Sequence, residues 1–385
     1  MNITTLPPLG LYVHIPWCVR KCPYCDFNSH ESPADIPEKN YIAALAADMN
    51  EEQQDGQGRK LSSIFIGGGT PSLFSDAGIG QILEHAEKTF GFEHDIEITL
   101  EANPGTFEQE RFKGYALAGV NRLSIGIQSF QDTQLQRLGR IHGRSEALHA
   151  ADKARRAGFD NINLDLMHGL PEQSLDAAMA DLKQALAFAP NHLSWYQLTI
   201  EQNTEFFSRP PALPEEDILV DIQDAGQQLL EGAAYKQYEV SAYSQSGQQS
   251  RHNLNYWQFG DYIGVGAGAH GKITRLHSQS LSRRRKTRMP AHYMAALSGE
   301  GNFVAAEEAV PDNKRKLEFL MNALRLNQGV TSELLSARTG LALGSIDPQW
   351  QRLKDKGLIV PTTDRIQASA LGLRFLNTVL EGFLD

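Results

Sequence analysis

Cysteine is scarce in this chain: there are three in 385 residues, all inside the eight positions of CVRKCPYC, Cys18 to Cys25. Three cysteines on one short stretch cannot build a disulfide framework, so stability has to come from a core, and a reducing compartment is expected. Long apolar runs are missing too. No segment has the roughly 18 consecutive apolar residues that span a bilayer, and the opening MNITTLPPLG lacks the basic region and apolar stretch of a secretion signal. The expectation is a cytoplasmic protein without stable membrane insertion. Positive charge is in deficit, 36 Lys and Arg against 46 Asp and Glu, for a formal net charge of −10. Such a field repels a phosphate backbone and argues against nucleic acid as a partner. The one basic run, RRRKTR from Arg283 to Arg288, reads as a solvated loop, with contact to an anion such as a propionate as the alternative.

What is present is a series. Short apolar runs ending in small or polar residues alternate with segments of helical period: LYVHIP at Leu11, SSIFIGGGT at Ser62, EITLEAN at Glu97, RLSIGIQSF at Arg122, NINLDLMHGLP at Asn161 and HLSWYQLTI at His192. Helices are predicted over Glu38 to Gln54, Ile79 to Phe90, Phe107 to Ala118 and Arg144 to Ala157. Repeated β-then-α units predict parallel strands with right-handed crossovers. The fold class is α/β: a partial (β/α)6-type, TIM-like barrel over residues 1–210, with a doubly wound open sheet as the alternative. The barrel is preferred because Gly67 to Thr70, Glu101, Gln128 and Asp165 all fall at strand C-termini, which share one rim in a barrel.

After PPALPEED the pattern changes. A helix near Ile218 to Gly232 leads to YEVSAYS and a glycine-rich strand, YIGVGAGAHG, in a barrel extension over residues 211–305. Residues 306–385 hold helices, two strand-like pieces and a closing helix, the order of a winged-helix-like α+β module.

The cysteine spacing C-x3-C-x2-C brings thiolates within reach of iron or zinc. A structural zinc site needs a fourth ligand, for which His14 and His30 are the nearby imidazoles. A four-iron cluster on three cysteines instead leaves one iron open to a small molecule. The glycines of GGGT allow close backbone approach to a ligand, or serve a tight turn. Glu101 and Asp165 suit a hydroxyl or an ammonium, and equally a salt-bridged rim.

C-x3-C-x2-C after a first strand, followed by GGGT at the end of the second, resembles the radical S-adenosylmethionine (SAM) superfamily. YVHIPWCVRKCPYCDFNSH, FIGGGTPS, EANPGT, SIGIQSF, LGRIH and NLDLMHGLP together resemble the oxygen-independent coproporphyrinogen III oxidase family, and within it the HemW-type branch of heme chaperones. The resemblance covers nearly the whole chain. It implies a 4Fe-4S cluster on Cys18, Cys22 and Cys25 with SAM on its open iron. It also implies a SAM site lined by Tyr12, Tyr24, Gly68, Gly69, Thr70, Glu101, Gln128, Arg140 and Asp165, with Arg140 meeting the SAM carboxylate and the tyrosines bordering cluster and adenine.

Two departures set the chain apart from the oxidases in this family. Phe27 stands where they carry a further cysteine, and about ten residues precede the first strand where they have a long extension. Both speak against decarboxylation of coproporphyrinogen. RHNLNYW, Arg251 to Trp257, resembles the HNxxYW signature of the heme-chaperone branch. It implies heme as cargo, with His252 as an axial ligand, Tyr256 and Trp257 as apolar faces, and Arg251 near a propionate. Without that resemblance the segment reads as a loop whose His and Asn cap a helix while Tyr and Trp seal the barrel mouth. Heme-acceptor proteins, respiratory hemoproteins among them, are the implied partners, and self-association as a homodimer stays open. A radical SAM enzyme acting on a porphyrinogen is the competing expectation, and a nucleic-acid-modifying enzyme the third.

Overall fold

A computed structural model of the protein describes residues 3–384, without the side chains of residues 106–109. Its main sheet holds strands β1 (Leu9–Ile15), β2 (Leu61–Gly68), β3 (Phe92–Ala102), β4 (Arg122–Gln128), β5 (Asn161–His168) and β6 (His192–Gln197). It continues with β7 (Lys236–Glu239), β8 (Ala242–Ser244), β9 (Asp261–Val265), β10 (His270–Arg275), β11 (Ser280–Lys286) and β12 (Val304–Ala309). The twelve strands lie in the order β12-β11-β10-β9-β1-β2-β3-β4-β5-β6-β8-β7. Strand β9 joins β1 through β6 to make the parallel centre, and antiparallel strands extend both flanks. The two edge strands do not pair, so the barrel is open.

Burial on both faces explains why these runs form strands. Every residue of LGLYVHI except Tyr12 is buried, the near-continuous apolar pattern of a parallel sheet covered on both sides. Each fully buried Leu, Ile or Val here contributes about 1.5–3 kcal/mol relative to exposure. The covering helices are α1 (Glu38–Glu52), α2 (Asp76–Phe90), α3 (Thr106–Leu117), α4 (Asp132–Arg137), α5 (Arg144–Arg156) and α6 (Leu175–Ala187). Helix α2 starts earlier than its periodicity predicts, because the Ser75 side chain caps it by accepting from the Gly78 N–H at 3.0 Å. Further on come α7 (Glu205–Ser208), α8 (Glu216–Gly232), α9 (Arg251–Trp257), α10 (Pro290–Ala295) and α11 (Asp312–Ala323).

Three expectations need correction. YIGVGAGAHG is not one strand but two, β9 and β10, because the chain reverses at Gly266 and Gly268, with φ of 101° and 81°. RHNLNYW is a helix, not a loop. RRRKTR is not a solvated loop either: its first four residues belong to β11, and their charges are matched. Lys286 pairs with Glu52 at 2.6 Å and with Asp48. Arg284 meets Glu52, Asp55 and Glu307 at 2.6, 2.8 and 2.8 Å, and Arg283 meets Glu318 at 2.7 Å.

From Asp312 the chain forms α11, helices at Ser332–Thr339 and Gln349–Asp355, and a small antiparallel pair, Val330–Thr331 with Arg365–Ile366. The piece LIVPTTD contributes a single bridge, Ile359 to Ala368. This module shares a core with the barrel's flank, where Tyr238, Phe259 and Leu281 pack with Phe319, Leu320 and Trp350. Among the described residues no helix is long and apolar enough to cross a membrane.

Candidate functional site

The loop from Trp17 to Glu31 is pinned by the protein's own side chains. His14, on β1, faces the Tyr12 hydroxyl through Nδ1 at 2.9 Å and the Asn28 carbonyl through Nε2 at 2.9 Å. A carbonyl only accepts, so Nε2 carries the proton and Nδ1 accepts from Tyr12. Burial lowers the pKa of His14 to about 4, which keeps the ring neutral in this role. The imidazole weighed above as a zinc ligand therefore holds the loop. Asn28 in turn donates to the carbonyls of Ala267 and Arg288, both at 2.9 Å. At the other side, the Phe206 N–H reaches the Pro23 carbonyl at 3.0 Å and Arg20 reaches Gly139.

This loop opens onto a cavity of about 610 Å³, whose wall includes Cys18, Cys22 and Cys25. The volume lies in the range of small-molecule and cofactor sites. Among the described residues, no group of three His, Cys, Asp or Glu closes around one metal ion. The donor set itself, three half-buried thiols on one loop, is that of a cluster whose cysteines each bind a different iron.

Gly68, Gly69 and Thr70 line the same wall. A Cβ on Gly68, at φ +116°, would lie 2.5 Å from the His14 ring, and one on Gly69 would lie 2.5 Å from the Trp17 carbonyl oxygen. The glycines are thus required by packing against the root of the cysteine loop. Their amides are occupied as well: Gly68 donates to Glu101 at 3.1 Å, Gly69 to Ile15 and Thr70 to Trp17, both at 2.7 Å.

Glu101, Gln128 and Asp165, at their strand ends, line the cavity together with Arg140 and Tyr24. Burial and the nearby Asp165 push the Glu101 carboxyl up to about 8. Asp165 is also raised, by burial first, and accepts from Ser124 at 2.9 Å and Asn163 at 2.8 Å. Gln128 stands in the left-handed region at φ 67°, where β4 slips register against β5, and its Oε1 accepts from the Tyr196 hydroxyl at 2.9 Å. A non-glycine residue there is strained and held by its surroundings. Arg140 donates to Asn103 at 2.6 Å and the Gly126 carbonyl at 2.9 Å, and lies 3.6 Å from the Cys22 sulfur. Its buried Nε has no partner among the described residues. Tyr12 is not part of this wall; its ring lies over Phe65, with centroids 6.3 Å apart.

Sequence reasoning missed Asn103 and Tyr196, although Asn103 sits inside the quoted EANPGT. Asn103 ties Arg140 to Thr70, whose Oγ1 accepts from its amide at 3.0 Å. It also missed a buried polar chain behind Asp165. Asn163 gives its amide protons to Asp165 and Ser124, so its oxygen accepts from His192 Nδ1 at 2.6 Å, and His192 Nε2 accepts from the Tyr238 hydroxyl at 2.9 Å.

The far wall is Glu239, Ser241, Asn253, Trp257 and Arg325. Helix α9 stands there because Glu97, on β3, caps it: the carboxylate accepts from the backbone N–H groups of Arg251 and His252, both at 3.1 Å. Glu97 and Glu101 share a face of β3 about 13 Å apart, so α9 lies well below the cysteine rim. Residues 253 and 257 therefore face the cavity together, one helical turn apart. His252 and Tyr256 form the neighbouring stripe. The His252 ring stacks on Phe65 at 4.7 Å and against Tyr256 at 4.4 Å, buried, with Nδ1 unpartnered among the described residues. Burial, reinforced by Arg122, lowers its pKa to about 3. Tyr256 and Trp257 also border a second cavity of about 190 Å³ with Tyr262, Lys272 and Arg283. Arg251 points away and pairs with exposed Asp95.

Residues 12–185 match the radical SAM superfamily and residues 310–375 the HemN C-terminal domain. The chain is 51% identical to the heme chaperone HemW of Haemophilus influenzae over 98% of each chain. It is 49% identical to HemW of Escherichia coli, over 98% of this chain and 99% of that one. Among solved structures it superposes on the E. coli coproporphyrinogen III oxidase HemN, a radical SAM enzyme, with a TM-score of 0.82 at 21% identity, covering 98% and 90% of the two chains. That last likeness is one of fold. The full-length identity, together with three thiols on a barrel rim, gives the assignment: the chain belongs to the HemW heme-chaperone family of radical SAM proteins.

Proposed function

We propose that this protein binds heme in the barrel cavity, carries a SAM-ligated 4Fe-4S cluster at the cavity's rim, and hands heme to acceptor hemoproteins in the cytoplasm. The observation that carries the reading is the continuity of one cavity from Cys18, Cys22 and Cys25 to Trp257. Bound on the thiols, a four-iron cluster with one open iron would chelate SAM and supply the electron for any cleavage of it. The chain's own residues then hold the ligand. Arg140, fixed by Asn103 and Gly126, presents a guanidinium beside Cys22 for the SAM carboxylate. Because the amides of Gly68, Gly69 and Thr70 are occupied, the backbone there meets the methionine ammonium through carbonyl oxygens. Glu101, Gln128 and Asp165 take the ribose edge, Tyr24 borders the cluster, and Tyr12 acts from behind by holding His14.

For heme, Trp257 offers an apolar face at the cavity wall and Tyr256 backs the helix. His252 is the proposed iron ligand, since burial keeps it neutral and Nδ1 has no partner; ligation requires its ring to leave the Phe65 stack. The test is one anaerobic sample with reconstituted cluster, titrated with hemin at the Soret band while 5′-deoxyadenosine is assayed. A saturable Soret shift that weakens in Trp257→Ala and changes spectral character in His252→Ala supports the reading. Absence of any saturable shift rejects it, and conversion of a porphyrinogen with 5′-deoxyadenosine release would establish the enzymatic alternative.

A further inference from the structure

We infer that Arg325 anchors a carboxylate of the bound cargo and that Glu239 competes with the cargo for it; this rests on the heme reading above. The cations expected from the sequence to meet a propionate are elsewhere. Arg251 is paired with Asp95 outside the cavity, and Arg283, Arg284 and Lys286 are matched to carboxylates. Among the described residues three arginines line the cavity: Arg20, Arg140 and Arg325. Arg20 donates to carbonyls of Gly139 and Arg140 at the rim, and Arg140 is held beside the cysteines. Of these, Arg325 is the one at the α9 end.

Its bonding is incomplete in a specific way. Nη2 donates to Glu239 Oε2 at 2.9 Å, a single contact where an arginine and a carboxylate can make two. Nε, on the same edge as Nη2, is buried and has no partner among the described residues, and Nη1, on the other edge, hydrogen-bonds none of them. The guanidinium stacks over Trp257, 4.3 Å from the ring centroid, which fixes its plane. Glu239 is itself buried, and its Oε1 accepts from the Ser241 N–H at 3.1 Å. A buried carboxylate that engages one edge of the fork holds Arg325 in place and neutralises it while the cavity is empty. A second carboxylate entering over Trp257 finds an oriented donor edge already built. Arg325 is also the one residue of the C-terminal module on the cavity wall among those described, so a cargo held this way joins module and barrel.

The test compares hemin with its dimethyl ester, which keeps the ring and iron but lacks free carboxylates. The native protein should favour hemin by roughly tenfold, the worth of one charged hydrogen bond. Arg325→Gln should abolish that preference while leaving ester affinity unchanged, Arg325→Lys should restore part of it, and Glu239→Gln should enlarge it. Equal weakening of both ligands in Arg325→Gln, or a retained preference, overturns the inference while heme binding stands. If Arg325→Gln does not fold, Glu239→Gln decides: an unchanged or reduced preference overturns it. If the native protein binds neither ligand, the heme reading falls and this inference with it.

Discussion

The seam between α1 and β11 and the wall of the cavity both concentrate charged side chains in buried surroundings, and they treat them in opposite ways. At the seam every cation has its carboxylate. Lys286, with 1% of its side chain exposed, is held by Asp48 and Glu52, and Asp48 also accepts from the Tyr293 hydroxyl at 2.6 Å. In the cavity, among the described residues, Glu101 has no cation beside it and its carboxyl is pushed up to about 8, Arg140 pairs with no carboxylate, and Arg325 makes a single contact to one. A buried charge with a full set of partners is locked into the fold; one held half-satisfied is available to a ligand.

Breaking the seam should have the largest effect. Lys286→Ala leaves buried Asp48 without its cation and Glu52 with Arg284 alone, and should cost about 3–5 kcal/mol in urea unfolding, with ligand binding by the remaining folded protein unchanged. A sharper contrast uses one chemical change in two places. Glu52→Gln removes one carboxylate shared by Lys286 and Arg284, which keep Asp48, Asp55 and Glu307, and should lower stability by about 1.5–3 kcal/mol. Glu101→Gln should raise it.

The sign follows from the Glu101 carboxyl, at about 8 in the folded chain against an ordinary 4.5. As pH rises from 4.5 to 8 the unfolded chain ionises while the folded one keeps its proton, so this group erodes stability across that window. Melting curves of wild type and Glu101→Gln should coincide near pH 4.5 and separate progressively up to pH 8, with the variant more stable. A third expectation ties the same proton to function: cationic SAM should favour the carboxylate, so binding at pH 7 should release a fraction of a proton. Calorimetry in buffers of different ionisation enthalpy checks it, and Glu101→Gln should remove the buffer dependence. The smallest effect is expected at Arg285, whose pairing with Glu308 is solvent-exposed. Arg285→Ala should change stability by less than about 1 kcal/mol.

Much of the barrel was legible because its signals are local. Apolar runs that end in Gly67, Glu101, Gln128 and Asp165 announce strand C-termini, and the parallel register then brings those ends together, with Glu101 opposite Ser124 and Gly126 opposite Asp165. What failed were readings whose partners are far away in sequence. RRRKTR looked solvated because Glu52 and Asp48 precede Arg284 and Lys286 by 232 and 238 positions. RHNLNYW looked like a loop because the carboxylate that starts its helix, Glu97, lies 154 positions before Arg251. The glycines of GGGT were read as room for a ligand or as a tight turn, and a second requirement came from far away in sequence: a Cβ on Gly68 would meet His14 and one on Gly69 would meet Trp17.

By itself, the sequence determined the three-thiol loop, the order of β and α elements and the rim on which polar residues gather, since these depend on spacing and alternation along a few residues. Only the tertiary structure decided which of those polar groups are satisfied. Whether an arginine is tied to several carboxylates, as Arg284 is to Glu52, Asp55 and Glu307, or to one, as Arg325 is to Glu239, depends on what the fold brings within 3 Å. That proximity is a property of packing, and no local pattern encodes it.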